Sequence, residues 1–350
     1  MRRKLFLSFI TLMMLITVFT SSTYAWFKIN SNALLTGFDF QVHGGEGFVI
    51  SNDGVNFYNG LSKEQVLEAI VYGYDKETFE YQNSNLVYKE TGKEVTNEEL
   101  LLIVSKKIEL SPLTSNDGIK FEDMLGVDYD ASSGKYIEFD LYFKATSSVI
   151  EDNLKYEIYF NNENTVGDDG TQIVPASITA NTSALPLIDE MITNDKVLSK
   201  NQTIIVETTN AIRLSVFDNT TTDENSKATI YEFYNKYDLG SYATDYDGED
   251  QELNKLYNSN INAMFTYYNN LKAGLTSLEP LSYDEMPKTI RYEVGSGLEF
   301  EKPITTVTSG TDMKKITFRI WIEGWDADCF DGLFESINVK LTFKSKQIYE

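Results

Sequence analysis

One histidine and one cysteine, His43 and Cys329, are all that the chain offers for imidazole or thiolate chemistry. A Ser–His or Cys–His catalytic pair would have to use His43, and a zinc cage of cysteines and histidines is impossible. The two histidines of a His-Glu-x-x-His metalloprotease helix are equally out of reach. His43 stands in Val42-His43-Gly44-Gly45 beside the end of a strand-like segment, where it reads as a turn or loop residue. Cys329 lies between Asp328 and Asp331, whose charges disfavour the thiolate. It reads as a packed thiol or, in an oxidising medium, as half of an intermolecular disulfide. Oxygen ligands are better supplied. Asp245, Asp247 and Asp250 alternate around Gly248, with Glu249 and Glu252 close by, as in a calcium loop and equally as in a solvated acidic turn. Asp326, Asp328 and Asp331 form a second, weaker cluster. Carboxylates paired ~5–10 Å apart, as glycoside hydrolysis needs, stay open in so acidic a chain. Val42–Phe48 (VHGGEGF) has the glycines of a phosphate loop without its lysine or its following helix. No catalytic residue is assigned, and a non-enzymatic protein without a resident cofactor, calcium aside, is expected.

The elements that hold these residues must come from a chain of 350 residues, 42% hydrophobic, with 22 Tyr and 21 Phe. That is enough to bury a sizeable core and far too aromatic for a disordered tail. Thirty Lys and Arg against 53 Asp and Glu give a net charge of -23. Such a surface repels phosphate backbones, which excludes nucleic acid as a main partner.

Arg2, Arg3 and Lys4 precede an uncharged run, Leu5 to Phe19, and Thr23-Tyr24-Ala25 follows. This is the layout of a secretory signal peptide over residues 1–25, cut between Ala25 and Trp26. Leu5 to Phe27 carries no charge, so an uncleaved anchor stays open as the one expected contact with a membrane. Cleavage removes three positive charges and leaves the mature chain more acidic still.

Residues 26–350 read as one large domain. Ile137, Phe139, Leu141 and Phe143 alternate with polar neighbours, as do Leu154–Phe160, Ile316–Ile322 and Ile337–Phe343. Strict two-residue alternation marks half-buried strands, and shorter candidates are Phe38–Val42, Phe48–Ser51, Ile204–Thr208 and Ile212–Phe217. One apolar and one polar face on each predicts a mainly β fold, an antiparallel β-sandwich of jelly-roll type with inserted α-helices. The insertions are expected near 62–72, 96–108 and 253–273. Ser62 with Gln65, and Thr96 with Glu99, have capping-box spacing, and Leu253 to Leu271 has helical periodicity. No internal repeat stands out.

The junction Thr23-Tyr24-Ala25-Trp26-Phe27 places bulky aromatics directly after the cleavage site. It resembles exported Gram-positive proteins processed by a SipW-type signal peptidase, the TasA/camelysin group of biofilm-matrix and surface proteins. Gly47–Asp53 (GFVISND), Leu110–Phe121 (LSPLTSNDGIKF), Tyr136–Thr146 (YIEFDLYFKAT) and Ile320–Asp331 (IWIEGWDADCFD) add to that resemblance. It implies a jelly roll, secretion to the matrix or cell surface, and subunits joined into a homopolymer by strand donation. The donor would be Trp26 to Leu35, with Trp26, Phe27, Ile29, Leu34 and Leu35 as its apolar content. Folding back of the same segment onto its own domain is the alternative. The peptidase activity ascribed to camelysin finds no His-Glu-x-x-His here. A monomeric surface module that binds glycan, calcium or protein is the second functional expectation.

Overall fold

The computed structural model describes residues 33–34, 38–123, 126–146, 154–161, 172–174, 177–181, 190–193, 196–199, 203–207, 211–219, 228–234, 244–245, 288–293, 302–310, 313–324 and 337–348. The expected helix at 253–273 lies outside them.

The alternating segments become the centres of two large sheets. In the ten-stranded sheet the hub is Lys314–Glu323. Ile137–Ala145 runs antiparallel along one edge of it and Ile212–Asp218 antiparallel along the other. Phe48–Ser51 extends the first side, and Thr229–Tyr234 followed by Lys288–Glu293 extends the second. The six-stranded sheet is organised by the C-terminal strand Ile337–Ile348. Its first half pairs with Phe38–His43 and its second half with Lys155–Phe160.

The sheets are mixed, where alternation had predicted antiparallel ones. Phe38–His43 is parallel to Ile337–Thr342, Thr229–Tyr234 to Lys288–Glu293, Thr244–Asp245 to Lys288–Thr289, and Pro112–Leu113 to Ile322–Glu323. Alternation records which face is apolar, not which strand is the neighbour. Parallel neighbours need long crossovers, and Phe38–His43 and Ile337–Ile348 come from opposite ends of the chain.

Inward faces of the two sheets meet in one core. Phe139, Phe143 and Phe318 come from the first sheet, Phe160 and Phe343 from the second, and all are buried. Phe143 and Phe343 meet edge to face with centroids 5.2 Å apart, and Phe139 stacks on Phe318 at 5.4 Å. Tyr231 closes on Phe160 at 4.9 Å, again edge to face. Such geometries suit the ring quadrupole.

Helix α1 (Lys63–Tyr74) starts where the capping box placed it: Ser62 Oγ accepts from the Gln65 amide, and Gln65 Oε1 accepts from the Ser62 amide at 2.8 Å. Val66, Leu67, Ile70 and Val71 turn into the core. Its last turn presses on the backbone of Ile137–Ala145, where an ideal Cβ on Gly73 would stand 2.0 Å from the Glu138 carbonyl oxygen. Helix α2 (Asn97–Lys107) repeats the capping box with Thr96 and Glu99, and buries Leu100 and Val104.

Candidate functional site

The polar face of the hub strand is covered rather than solvated, against the expectation from alternation. Asp140 and Thr317 are each 4% exposed, Trp321 1% and Glu323 2%. Register sets Glu138 opposite Arg319, Asp140 opposite Thr317 and Tyr142 opposite Lys315. Opposed residues in antiparallel strands share a face, so these side chains meet. Arg319 Nε stands 2.8 Å from Glu138 Oε2, and Thr317 Oγ1 donates to Asp140 Oδ1 at 2.6 Å. The Lys315 ammonium meets Asp140 Oδ2 at 2.9 Å as an ion pair. Lys76, just past the end of α1, bridges Glu138 at 3.4 Å and Asp140 at 3.6 Å. Two carboxylates are thereby held by three cations.

Burial pushes the Asp140 pKa up, but the Thr317 and Lys315 contacts and the charges of Lys76 and Lys315 outweigh it and leave it below the ordinary value. A carboxylate with a depressed folded pKa stabilises above its unfolded pKa of about 3.9, and that stability is lost as pH falls through the folded value. Asp140→Asn is therefore expected to cost about 2 kcal/mol at pH 7, less than a fully buried pair because both lysines reach solvent. It should also flatten the decline of stability below about pH 4. Urea unfolding of both proteins from pH 2 to 7 checks the two statements together.

Two loops of one sequence pattern stand on this same face. Ser51-Asn52-Asp53-Gly54-Val55-Asn56-Phe57 and Ser115-Asn116-Asp117-Gly118-Ile119-Lys120-Phe121 share Ser-Asn-Asp-Gly, a β-branched residue, a variable position and Phe. In each, the serine Oγ accepts from the glycine amide at 2.9 Å. In each, the aspartate Oδ1 accepts from the amides two and three residues on, at 2.7 and 2.9 Å in the first loop and 2.8 and 2.9 Å in the second. These are side-chain turns that tie down the backbone locally. Glycine is required twice over, since φ is +76° at Gly54 and +69° at Gly118 and each presses on the sheet. Gly54 abuts the Tyr142 ring, and Gly118 abuts Ser215, which lies opposite Arg319 and donates to the Gly118 carbonyl at 2.7 Å. One loop thus stands on each side of the hub strand, with the charged ladder on the face they share. The repeat is visible in the sequence only when Gly47–Asp53 and Leu110–Phe121 are aligned with each other.

Beneath the first loop, the Asn52 side chain reaches helix α1 twice and the strand Phe79–Gln82 once. Its Nδ2 lies 2.9 Å from Glu68 Oε2, 3.1 Å from the Gln65 carbonyl and 3.4 Å from the Tyr81 hydroxyl. Burial, with the neighbouring charges of Asp53 and Glu94 adding to it, pushes Glu68 up to about 7 against the pull of the Asn52 hydrogen bond. Burial likewise raises Tyr81 far above its usual value. Asp53 goes the other way: burial opposes, but donors from Ser51, Val55, Asn56 and Ser84 keep its pKa low. Nothing in the local sequence singles out Glu68, because its surroundings come from other elements.

Of the residues that sequence singled out, few fall inside the described set. Asp245 ends the two-residue strand Thr244–Asp245, while Asp247, Asp250 and the Asp326–Asp331 cluster with Cys329 lie outside. His43 sits in a strand, its backbone paired with Thr342 and Gly60, and not in a turn. Ala33–Leu34 pairs antiparallel with Glu109–Leu110 of the same chain. Ala25, Trp26, Phe27, Ile29 and Leu35 lie outside the described residues. Among the described residues no three His, Cys, Asp or Glu side chains are grouped to hold a metal ion, and no helix is long and apolar enough to cross a membrane.

No family model, curated protein or solved structure matches this chain.

Proposed function

We propose that the chain is a non-enzymatic structural protein of the extracellular or biofilm matrix, exported by a Gram-positive bacterium, that self-assembles through the segment freed by signal-peptidase cleavage after Ala25. Its two large sheets are read as a jelly-roll-like sandwich, which the inter-sheet ring contacts support. The observation from which the assembly reading starts is the pairing of Ala33–Leu34 with Glu109–Leu110, which in the single chain is the fold-back arrangement and marks the edge where a neighbour's segment would exchange in. A strand lies close behind the cleavage junction and is held in its own chain over two residue pairs. A ladder that short gives little affinity, so the matching segment of a neighbouring copy can take its place and extend the pairing toward Trp26. The ionic side chains of the covered face support a structural role as well, because they are engaged with one another.

Deletion of residues 26–35 tests this reading. The mature chain is expected to form filaments or large assemblies, and the deletion variant to stay monomeric with an unchanged far-UV circular dichroism spectrum. Assembly that survives the deletion would remove the N-terminal segment from the mechanism. The second reading, a monomeric surface module for glycan, calcium or protein, draws on the two Ser-Asn-Asp-Gly loops standing on one face. A calcium-dependent rise in melting temperature would favour it, by linkage to binding in the folded state.

A further inference from the structure

Asn59-Gly60 is the single Asn-Gly step of the chain, and it stands at a corner of the fold. Before it, Tyr58 exchanges two backbone hydrogen bonds with Ile50 of the ten-stranded sheet, each 2.8 Å long. After it, Gly60–Leu61 pairs with Val42–His43 of the six-stranded sheet, and the Gly44 amide donates to the Asn59 carbonyl at 2.7 Å. The chain thus passes from one sheet to the other between Tyr58 and Gly60, and Ser62 at once caps helix α1. We propose that Asn59-Gly60 is a self-modification site, at which the folded protein converts Asn59 through a cyclic imide into aspartate and isoaspartate and so lengthens its main chain at this corner. This inference concerns the monomer and stands apart from the assembly reading.

The reaction needs an unhindered backbone nitrogen beside an accessible side-chain amide. Glycine supplies the first, since it has no Cβ to obstruct ring closure. Asn59 is exposed and supplies the second. Register leaves the nitrogen disengaged from the ladder. The Gly44–Asn59 bond makes Gly44 with Asn59, and Val42 with Leu61, the hydrogen-bonded pairs, so the Gly60 N–H points away from the partner strand. The Gly60 nitrogen gives its proton to solvent base and attacks Asn59 Cγ. The Cγ–Nδ2 bond then breaks, and the nitrogen takes a proton from solvent and leaves as ammonia. Water opens the ring next. Opening at Cγ gives aspartate; opening at the main-chain carbonyl gives isoaspartate, whose chain runs through Cβ and Cγ. The Asp53-Gly54 and Asp117-Gly118 steps offer the same ring closure but are held out of it. Their glycine amides donate to Ser51 and Ser115, and their carboxylates accept from amides further along. Extra main chain at residue 59 finds no slack, because the strands already approach so closely that a Cβ on Gly44 would overlap the Asn59 carbonyl oxygen.

Storage of the folded whole chain in warm, mildly alkaline buffer, followed by peptide mass mapping, tests the site. The peptide that carries residue 59 is expected to gain about 1 Da and to split into two chromatographic species, while those that carry Asp53 and Asp117 stay unchanged. Hydrogen exchange on the aged fraction should show amide protection at 42–44 and 58–61 lowered about tenfold or more, with the hub strand unaltered. Freshly purified Asn59→Asp, which adds the charge without lengthening the chain, should retain that protection, and Asn59→Gln should show neither change on storage. A folded chain that keeps its Asn59 amide while urea-denatured chain converts in the same buffer would overturn the proposal, as would equal conversion at Asp53 or Asp117. So would full protection in the aged fraction, because the corner would then have absorbed the longer chain.

Discussion

Gly73→Ala is expected to destabilise the protein by about 3 kcal/mol, although alanine is the better helix former by about 1 kcal/mol. The sign is decided by the neighbour. An ideal Cβ at position 73 would lie 2.0 Å from the Glu138 carbonyl oxygen and 3.3 Å from Phe139 Cα. Both are backbone atoms of a strand locked to the hub strand over seven residue pairs, so they have no rotamer with which to move away. Helix α1 must retreat instead, and retreat pulls Val66, Ile70 and Val71 out of a core in which each is 0% exposed. Gly92→Ala is the control. Gly92 also has a positive φ, +64°, but nothing stands within 4 Å of its Cβ site, so the cost there is backbone strain alone, about 1 kcal/mol. Urea unfolding of the three proteins gives the comparison, and a gain of stability in Gly73→Ala would show that the helix does not press on the strand.

Phe318→Ala is expected to cost about 4 kcal/mol, in the middle of the range for a buried ring. Phe318 is 0% exposed and stands in the hub strand, with Phe139 and Phe143 as partners from its own sheet and Phe160 and Phe343 from the other. Removal of the ring opens a cavity at the junction of the two sheets. Four aromatic neighbours on two rigid ladders cannot all shift to fill it. Leu101→Ala on the outer face of α2, where the side chain is 46% exposed, should change stability by no more than about 0.5 kcal/mol. Guanidinium unfolding monitored by tryptophan fluorescence separates the two, and near-equal effects would mean that the sheets do not share a core.

The two carboxyl groups singled out by their surroundings pull the pH profile in opposite directions. Asp140, held by cations, stabilises as pH rises out of the acid range, whereas Glu68, raised chiefly by burial and further by acidic neighbours, destabilises as pH passes about 7. A stability maximum on the acid side of neutrality follows, between the two transitions.

Much of the fold was legible because its signals are local. Alternation in Ile137–Phe143 and Ile316–Ile322 marked the strands, and Ser62-x-x-Gln65 and Thr96-x-x-Glu99 marked the helix starts within a residue. What alternation hid was the fate of the polar face. Asp140 in such a pattern reads as solvent-facing, and only the arrival of Lys76, Lys315 and the two loops makes its burial affordable. Partner choice was hidden too, because nothing near Phe38 announces a parallel neighbour at Ile337. The candidate site was legible only as two unconnected phrases around Asp53 and Asp117, whose kinship lies in the repeated heptapeptide. Glu68 had no sequence signal at all, since Asn52, Asp53 and Glu94 act on it from outside its own helix.

Assembly from a cleaved N-terminus is tested most directly on the protein exported by its own host, with intact mass and electron microscopy performed on one fraction. A mass that begins at Trp26, together with filaments, is the predicted result. A mass that begins at Trp26 with only monodisperse monomer, or an intact Met1 species held in the membrane, would contradict it.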